Sequence, residues 1–223
     1  KKFLGGSMEK EYYAIVRESE CEIIINKSRF IGRAFPIKDE KDALEKIQSI
    51  RERYPDATHH CYAYVTGENN SIQRFNDDGE PGGTAGMPIL QVIQQQQIEN
   101  VLVVVTRYFG GIKLGAGGLV RAYSKAASDA ISKAGKYKMK LCYKGTIKLD
   151  YSHLGTIEYF LKQERIPVLN KEYLENVSIE LITNMDWDRF CSLIIEKCNG
   201  KVGIGEAEEI YYPWDDRDNI ENL

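Results

Sequence analysis

Eight residues between Arg107 and Lys125 have the types and spacing to hold a negatively charged oxygen: Arg107, Tyr108, Lys113, Gly115, Gly117, Gly118, Arg121 and Lys125. Five glycines fall within nine residues, Gly110, Gly111, Gly115, Gly117 and Gly118. A residue without Cβ lets backbone N–H groups come close to a ligand. Where a helix starts on such a stretch, its first amides are unpaired donors at the positive end of the helix dipole. Phosphate suits that chemistry. Between Val101 and Lys140 the basic residues are Arg107, Lys113, Arg121, Lys125, Lys133, Lys136, Lys138 and Lys140, and the only acid is Asp129. The whole chain is mildly acidic, with Lys+Arg 30 against Asp+Glu 33. A cationic segment in an acidic chain fits a polyanion or a phosphate. The competing reading is that the glycines permit close helix-on-sheet packing and the lysines form a solvated face.

A second group is His59, His60, Asp78, Glu80 and Thr84. The histidines are neighbours at the start of a strand pattern, so they point to opposite faces and do not converge on one metal. His153 is distant, no H-x-x-x-H spacing exists, and no metal is expected. One of the pair is free to hydrogen-bond the loop Asp77–Glu80. Asp77, Asp78 and Glu80 sit in NDDGEPGGTAG, where carboxylates either hold magnesium or cap local amides in an Asx turn. Cys61 follows His60 directly, and strand neighbours face apart, which argues against a thiol–imidazole nucleophile. Walker, G-x-G-x-x-G and G-x-S-x-G patterns are absent, so neither catalysis nor a cofactor is implied. Tyr62, Tyr64, Phe75, Tyr108, Phe109 and Tyr123 either stack on bases or fill a core.

The elements that must position these groups are legible. Val101–Val105 is a β-branched run expected of a buried strand. Leu119, Tyr123, Ala126, Ala127, Ala130 and Ile131 share a helix face after it. Before it, strands are expected at 12–16, 22–25 and 29–36 as an antiparallel meander, then a helix at 39–53 capped by Asp39. A hairpin at 61–66 and 71–75 follows, turning at Gly67, Asn69 and Asn70, with a helix at 84–97 ending by Asn100. From Leu141 the order is strand, helix (152–165, capped by Ser152), two strands, helix (187–199, capped by Asp186) and strand (206–212). This β-α-β-β-α-β order is the ferredoxin-like arrangement.

Composition sets the frame. The 223 residues are 43% hydrophobic and 28% charged, values of an ordinary globular protein. No run approaches the length of a membrane span, and no signal peptide opens the chain, so the cytoplasm is the expected compartment. Lys1–Ser7 read as a leader and Met8 as the native start, while the acidic end, Asp215–Leu223, is expected to fray. Five cysteines without a C-x-x-C pair argue against a disulfide framework or structural zinc.

HHCYAY, RFNDDGEPGGTAGMPIL and VVVTRYFGGIKLGAGGLVRAY, in that order, resemble the signature of the IMPACT family, whose bacterial members are YigZ-like proteins. The resemblance implies an α+β chain of two domains. The first, 8–138, would be a sheet with two helices on one face, similar to domain IV of elongation factor G. The second, 141–213, would be ferredoxin-like βαββαβ. Eukaryotic members regulate translation by competing for the activator of a kinase that targets an initiation factor. The resemblance therefore implies a regulator of translation with RNA, the ribosome or another protein as partner. A sensor or enzyme for a small phosphorylated ligand, with or without magnesium, is the alternative that the glycines and the acidic loop leave open.

Overall fold

The computed structural model describes residues 11–67 and 70–215. The leader, the Met8 start, Asn69 of the expected turn and the chain beyond 215 lie outside them. The described residues divide into two compact units that meet in sequence at Lys138 and Met139. Both are mixed α+β. No helix among the described residues is long and apolar enough to cross a membrane.

The first unit is built on a five-stranded antiparallel sheet. Its strands are β2 (Ser19–Ile25), β3 (Ser28–Pro36), β4 (His59–Thr66), β5 (Ile72–Asn76) and β6 (Val101–Tyr108), in the order β2-β3-β6-β4-β5. The valine-rich β6 is central because both its faces are apolar and both are covered. Val101, Val103 and Val105 join Cys61, Ala63 and Val65 in a core roofed by α2 (Gly86–Gln95) and α3 (Gly115–Ala134). Leu102 and Val104 turn the other way, into a smaller core with Ala43, Ile47 and Ile50 of α1 (Glu40–Arg53). Two helices thus share one face, as expected, and α1 takes the other. Ala122, Ala126, Ala127, Ala130 and Ala134 make the inner stripe of α3. These small side chains bring the helix so close that Cys21 Sγ lies 3.4 Å from the Ala126 carbonyl oxygen.

The expected opening meander does not form. The first strand, β1 (Tyr12–Ile15), stays out of this sheet. Tyr13 instead exchanges backbone hydrogen bonds with Gln97 and Glu99, in the segment between α2 and β6. That segment is irregular: α2 stops at Gln95, short of the expected end, and Gln97 and Asn100 both take the left-handed conformation.

The second unit contains β7 (Lys136–Leu149) from Met139 onward, α4 (Tyr151–Gln163), β8 (Val168–Tyr173), β9 (Val177–Thr183), α5 (Trp187–Lys197) and β10 (Val202–Tyr212). Its strands lie in the antiparallel order β10-β7-β9-β8, the ferredoxin-like topology. Ile147, Ile157, Ile179 and Phe190 are central in its core. Asp186 caps α5 by accepting from the Arg189 amide. Ser152 does not cap α4, because that helix starts one residue before it and Asp150 holds the N-cap position.

Candidate functional site

β5 and β6 both end at the same edge of the first sheet, so α2 and α3 both begin there. The last row on the helix-covered face runs across three strands, since Arg107 pairs in register with Phe30 on β3 and with His59 on β4. The strand period of two places Arg107 on the same face as Val105, which is inward. Its guanidinium, 5% exposed, meets Glu80, 4% exposed, at 2.6 Å. The Tyr123 hydroxyl donates to the same carboxylate oxygen at 2.7 Å. His59 Nε2 stands 3.9 Å from the other Glu80 oxygen. Arg107 therefore does not face outward as a phosphate ligand: an unpaired guanidinium at this depth would be far costlier than the ion pair.

The acidic loop is a brace. Asp77 accepts from the amides of Gly83, Ala85 and Gly86, so it caps α2 from a distance and fills that helix's open end. Asp78 accepts from the His60 amide at 2.6 Å and pairs with Arg51 at 2.8 Å. Its own amide is taken by Asn76 Oδ1, which closes an Asx turn. The Thr84 hydroxyl donates to the Pro81 carbonyl. With Asp77, Asp78 and Glu80 each committed, this loop does not present the free carboxylates of a magnesium site.

The two histidines face apart, as their spacing requires. His59 places Nδ1 2.7 Å from the Asp78 carbonyl, on the loop. His60 lies on the α1 side, where Nε2 donates to the Tyr54 carbonyl and Nδ1 accepts from Thr106. That pattern needs a neutral ring, and burial pushes the His60 pKa down accordingly. Burial also pushes the Cys61 thiol and the Tyr123 phenol up. Cys61 lies 3.4 Å from the Tyr123 hydroxyl and stays a buried, protonated thiol rather than a nucleophile.

The corner between β6 and α3 is different in kind. Ser28 Oγ accepts from the Gly110 amide and from Arg107 Nη2, fastening the loop to the β2–β3 turn. A Cβ on Gly110 would fall 2.1 Å from the Lys27 carbonyl carbon, so only glycine allows this approach. The helix begins at Gly115, earlier than the apolar stripe indicates, with Gly115 at φ +69. Leu114 occupies the N-cap without a side-chain hydrogen bond, and the first turn has no acid. Gly115 and Gly117 are exposed. Arg121 folds back on this turn, with Nη1 3.7 Å from where a Cβ on Gly117 would stand. Lys113 is exposed beside it, as is Lys27 on the turn that Gly110 touches.

Of the expected anion-binding residues, the corner gathers Lys113, Gly115, Gly117 and Arg121. Gly118 packs against the Leu114 side chain. Tyr108 turns its hydroxyl to Asp56 at 3.0 Å. Lys125 pairs with Asp129 one turn further along α3 at 2.9 Å. The latter two are therefore not part of the corner.

The family model described as the Impact N-terminal domain matches residues 26–131, a span containing the whole corner and the Glu80–Arg107 pair. The IMPACT family member YvyE of Bacillus subtilis is 42% identical over 205 residues, covering 92% of this chain and 94% of that protein. The chain belongs to the IMPACT family. Another member, YigZ of Escherichia coli, is 37% identical over 151 residues, covering 67% of this chain and 74% of that one. The second unit matches Domain of unknown function (DUF1949) at residues 147–201. A crystal structure titled as that of a hypothetical protein superposes with TM-score 0.58 at 30% identity, covering 91% of this chain and 99% of that one. The resemblance drawn from the three motifs is thus confirmed.

Several residues at this IMPACT-family site escaped the sequence. Asp77 as the cap of α2 acts over a gap of six to nine residues, outside any local capping rule. Ser28 and Tyr123 reach the site only through strand pairing and helix packing.

Proposed function

We propose that this IMPACT-family chain is a translation-associated protein that binds RNA phosphates at the corner opening α3. One observation carries the reading. The first turn of α3 has open amides, no capping side chain and no acid, yet holds the Arg121 guanidinium against it. A cation at the positive end of a helix dipole is unfavourable by itself and becomes favourable when an anion sits between the two. Phe109 and Ile112, both exposed, flank the corner and offer apolar surface to bases, which favours a nucleic-acid strand over a lone phosphate. The role in translation rests on family membership. Action in the cytoplasm is supported by the five free cysteines, which suit a reducing compartment.

Fluorescence anisotropy with short single- and double-stranded RNA at rising salt tests the proposal. Affinity is expected to fall linearly on log–log axes. In a Lys113→Ala/Arg121→Ala variant the slope for single strands should shrink by about 1.4, at roughly 0.7 per lost phosphate contact. Absence of binding at low salt refutes it. Thermal stabilisation by mononucleotides with magnesium, without RNA binding, would replace it with a small phosphorylated ligand. Recovery of an RNase-resistant complex from lysate, again without RNA binding, would replace it with a protein partner.

A further inference from the structure

On the opposite face of the first sheet, α1 packs on β4 and β6. A cleft of about 430 Å³ lies there, between β2–β3 and α1, with Glu20, Arg33, Phe35, Ile50 and Arg53 among its walls. That volume is in the range of small-molecule sites.

Arg33 defines the chemistry. Its side chain is 3% exposed, and Nε donates to Glu20 Oε2 at 2.8 Å. Nη1 donates to Thr106 Oγ1 at 3.3 Å, and the Tyr54 ring lies 4.2 Å from the guanidinium. Nη2 is buried with no partner. Nε and Nη2 form one edge of the planar group, the edge with which Arg29 grips both oxygens of Glu22 at 3.1 and 2.9 Å. On Arg33, a residue of the cleft wall, the same edge reaches Glu20 through Nε alone, and Nη2 is left without an acceptor. Leaving such a donor unsatisfied is unfavourable, and an acceptor oxygen is what it lacks. Arg53 adds a second guanidinium that stacks on Tyr54 and pairs with no carboxylate among the described residues.

The acids are equally incomplete. Glu20 uses only Oε2, and Glu18 meets Lys46 through Oε1 at 3.3 Å. The cleft therefore offers donors and acceptors side by side. A simple anion would lie against two carboxylates, and a simple cation against two guanidinium groups and the Lys46 ammonium. A molecule bearing both charges a few ångströms apart answers both.

We propose that this cleft binds a small zwitterion of the α-amino-acid class. Its carboxylate takes Arg33 Nη2 and Arg53, its ammonium takes Glu18 and Glu20, and its side chain lies on Phe35 and Ile50. The site is separate from the corner at α3 and on the other face of the sheet, so it stands whether or not RNA binds.

The test is a ¹H–¹⁵N titration of the full chain with each common amino acid up to about 10 mM, a range that captures millimolar binding. At least one amino acid is expected to give saturable shifts confined to the amides around the cleft. Glu20→Gln, which preserves the hydrogen bond to Arg33 but removes the charge, should weaken binding about tenfold or more, as should Arg53→Ala. Both positions reach solvent, and the variant spectra report directly whether the fold persists. Acetate and methylammonium, supplying the two charges on separate molecules, should each bind about tenfold more weakly or worse. No saturable shift with any amino acid overturns the proposal. Acetate binding as tightly as the amino acid, or both variants binding unchanged, overturns it as well.

Discussion

Replacing Glu80 by Gln isolates the buried charge pair at the end of the sheet. Glutamine has the same shape and still offers Tyr123 an oxygen, so packing is preserved. What is lost is the charge facing Arg107, whose guanidinium is 5% exposed and 2.6 Å away. Arg107 would face a neutral amide oxygen in place of a carboxylate, with the Ser28 hydroxyl as its other acceptor and its Nε still without a partner. Removing one member of a buried pair costs about 3–5 kcal/mol, because the other charge remains without compensation. A domain has roughly 5–15 kcal/mol in total, so this is a large part of the first unit's stability. At about 3–5 °C per kcal/mol for a unit of this size, the corresponding thermal transition falls by roughly 10–20 °C. Urea unfolding followed by far-ultraviolet circular dichroism on Glu80→Gln, Arg107→Met and the double variant closes the cycle. The double variant should recover part of the loss, with a coupling energy of about 2 kcal/mol or more. A Glu80→Gln variant within about 0.5 kcal/mol of the native chain, or losses that simply add, would refute the reasoning.

Asp77→Ala removes the acceptor of three amides at the start of α2 and should destabilise the first unit by about 1–2 kcal/mol, read from the urea midpoint. His60 is held neutral by burial, so its folded pKa lies below its unfolded value. Its contribution to stability is complete above about pH 6.5 and is lost as pH falls through the folded pKa. The urea midpoint should therefore drop more between pH 7.5 and 5.5 in the native chain than in His60→Asn, and equal drops would contradict the assignment. Cys61, fully buried with its thiol pKa raised, should stay unmodified when the native protein is treated with iodoacetamide and react once urea unfolds it, as peptide mass spectrometry will show.

The sequence made the scaffold readable because periodicity survives folding. Val101–Val105 marked the central strand, and the alanine stripe marked the helix that lies on it. The adjacency of His59 and His60 was enough to send them to different faces. Arg107 has the type of an anion ligand, but it lies one strand period from Val105, and continuing the alternation two residues past the valines turns it inward. The partners of Arg107 were a harder matter. Glu80 reaches it from a loop 27 residues earlier, and Tyr123 from the third turn of a helix. No spacing rule encodes such meetings, because they depend on where antiparallel pairing and helix packing place three distant segments. The place of β1 is hidden for the same reason: Tyr13 exchanges hydrogen bonds with Gln97 and Glu99, which no local pattern links to it. The cleft beside Arg33 left no trace in the sequence, since it is the space between β2–β3 and α1.

The polar residues that finish β6 also solve a problem of alignment. Val101, Val103 and Val105 are identical, so sliding β6 by two positions between its neighbours would keep every side chain on its proper face and swap valine for valine. Alternation forbids an odd shift but is blind to an even one. Thr106 and Arg107 break the degeneracy, since after such a slide Thr106 would lose His60 and Arg33 together, and Arg107 would lie where no carboxylate waits. The end of the strand thus works like the single notched tooth on an otherwise uniform rack, and the correct alignment is the one in which it engages.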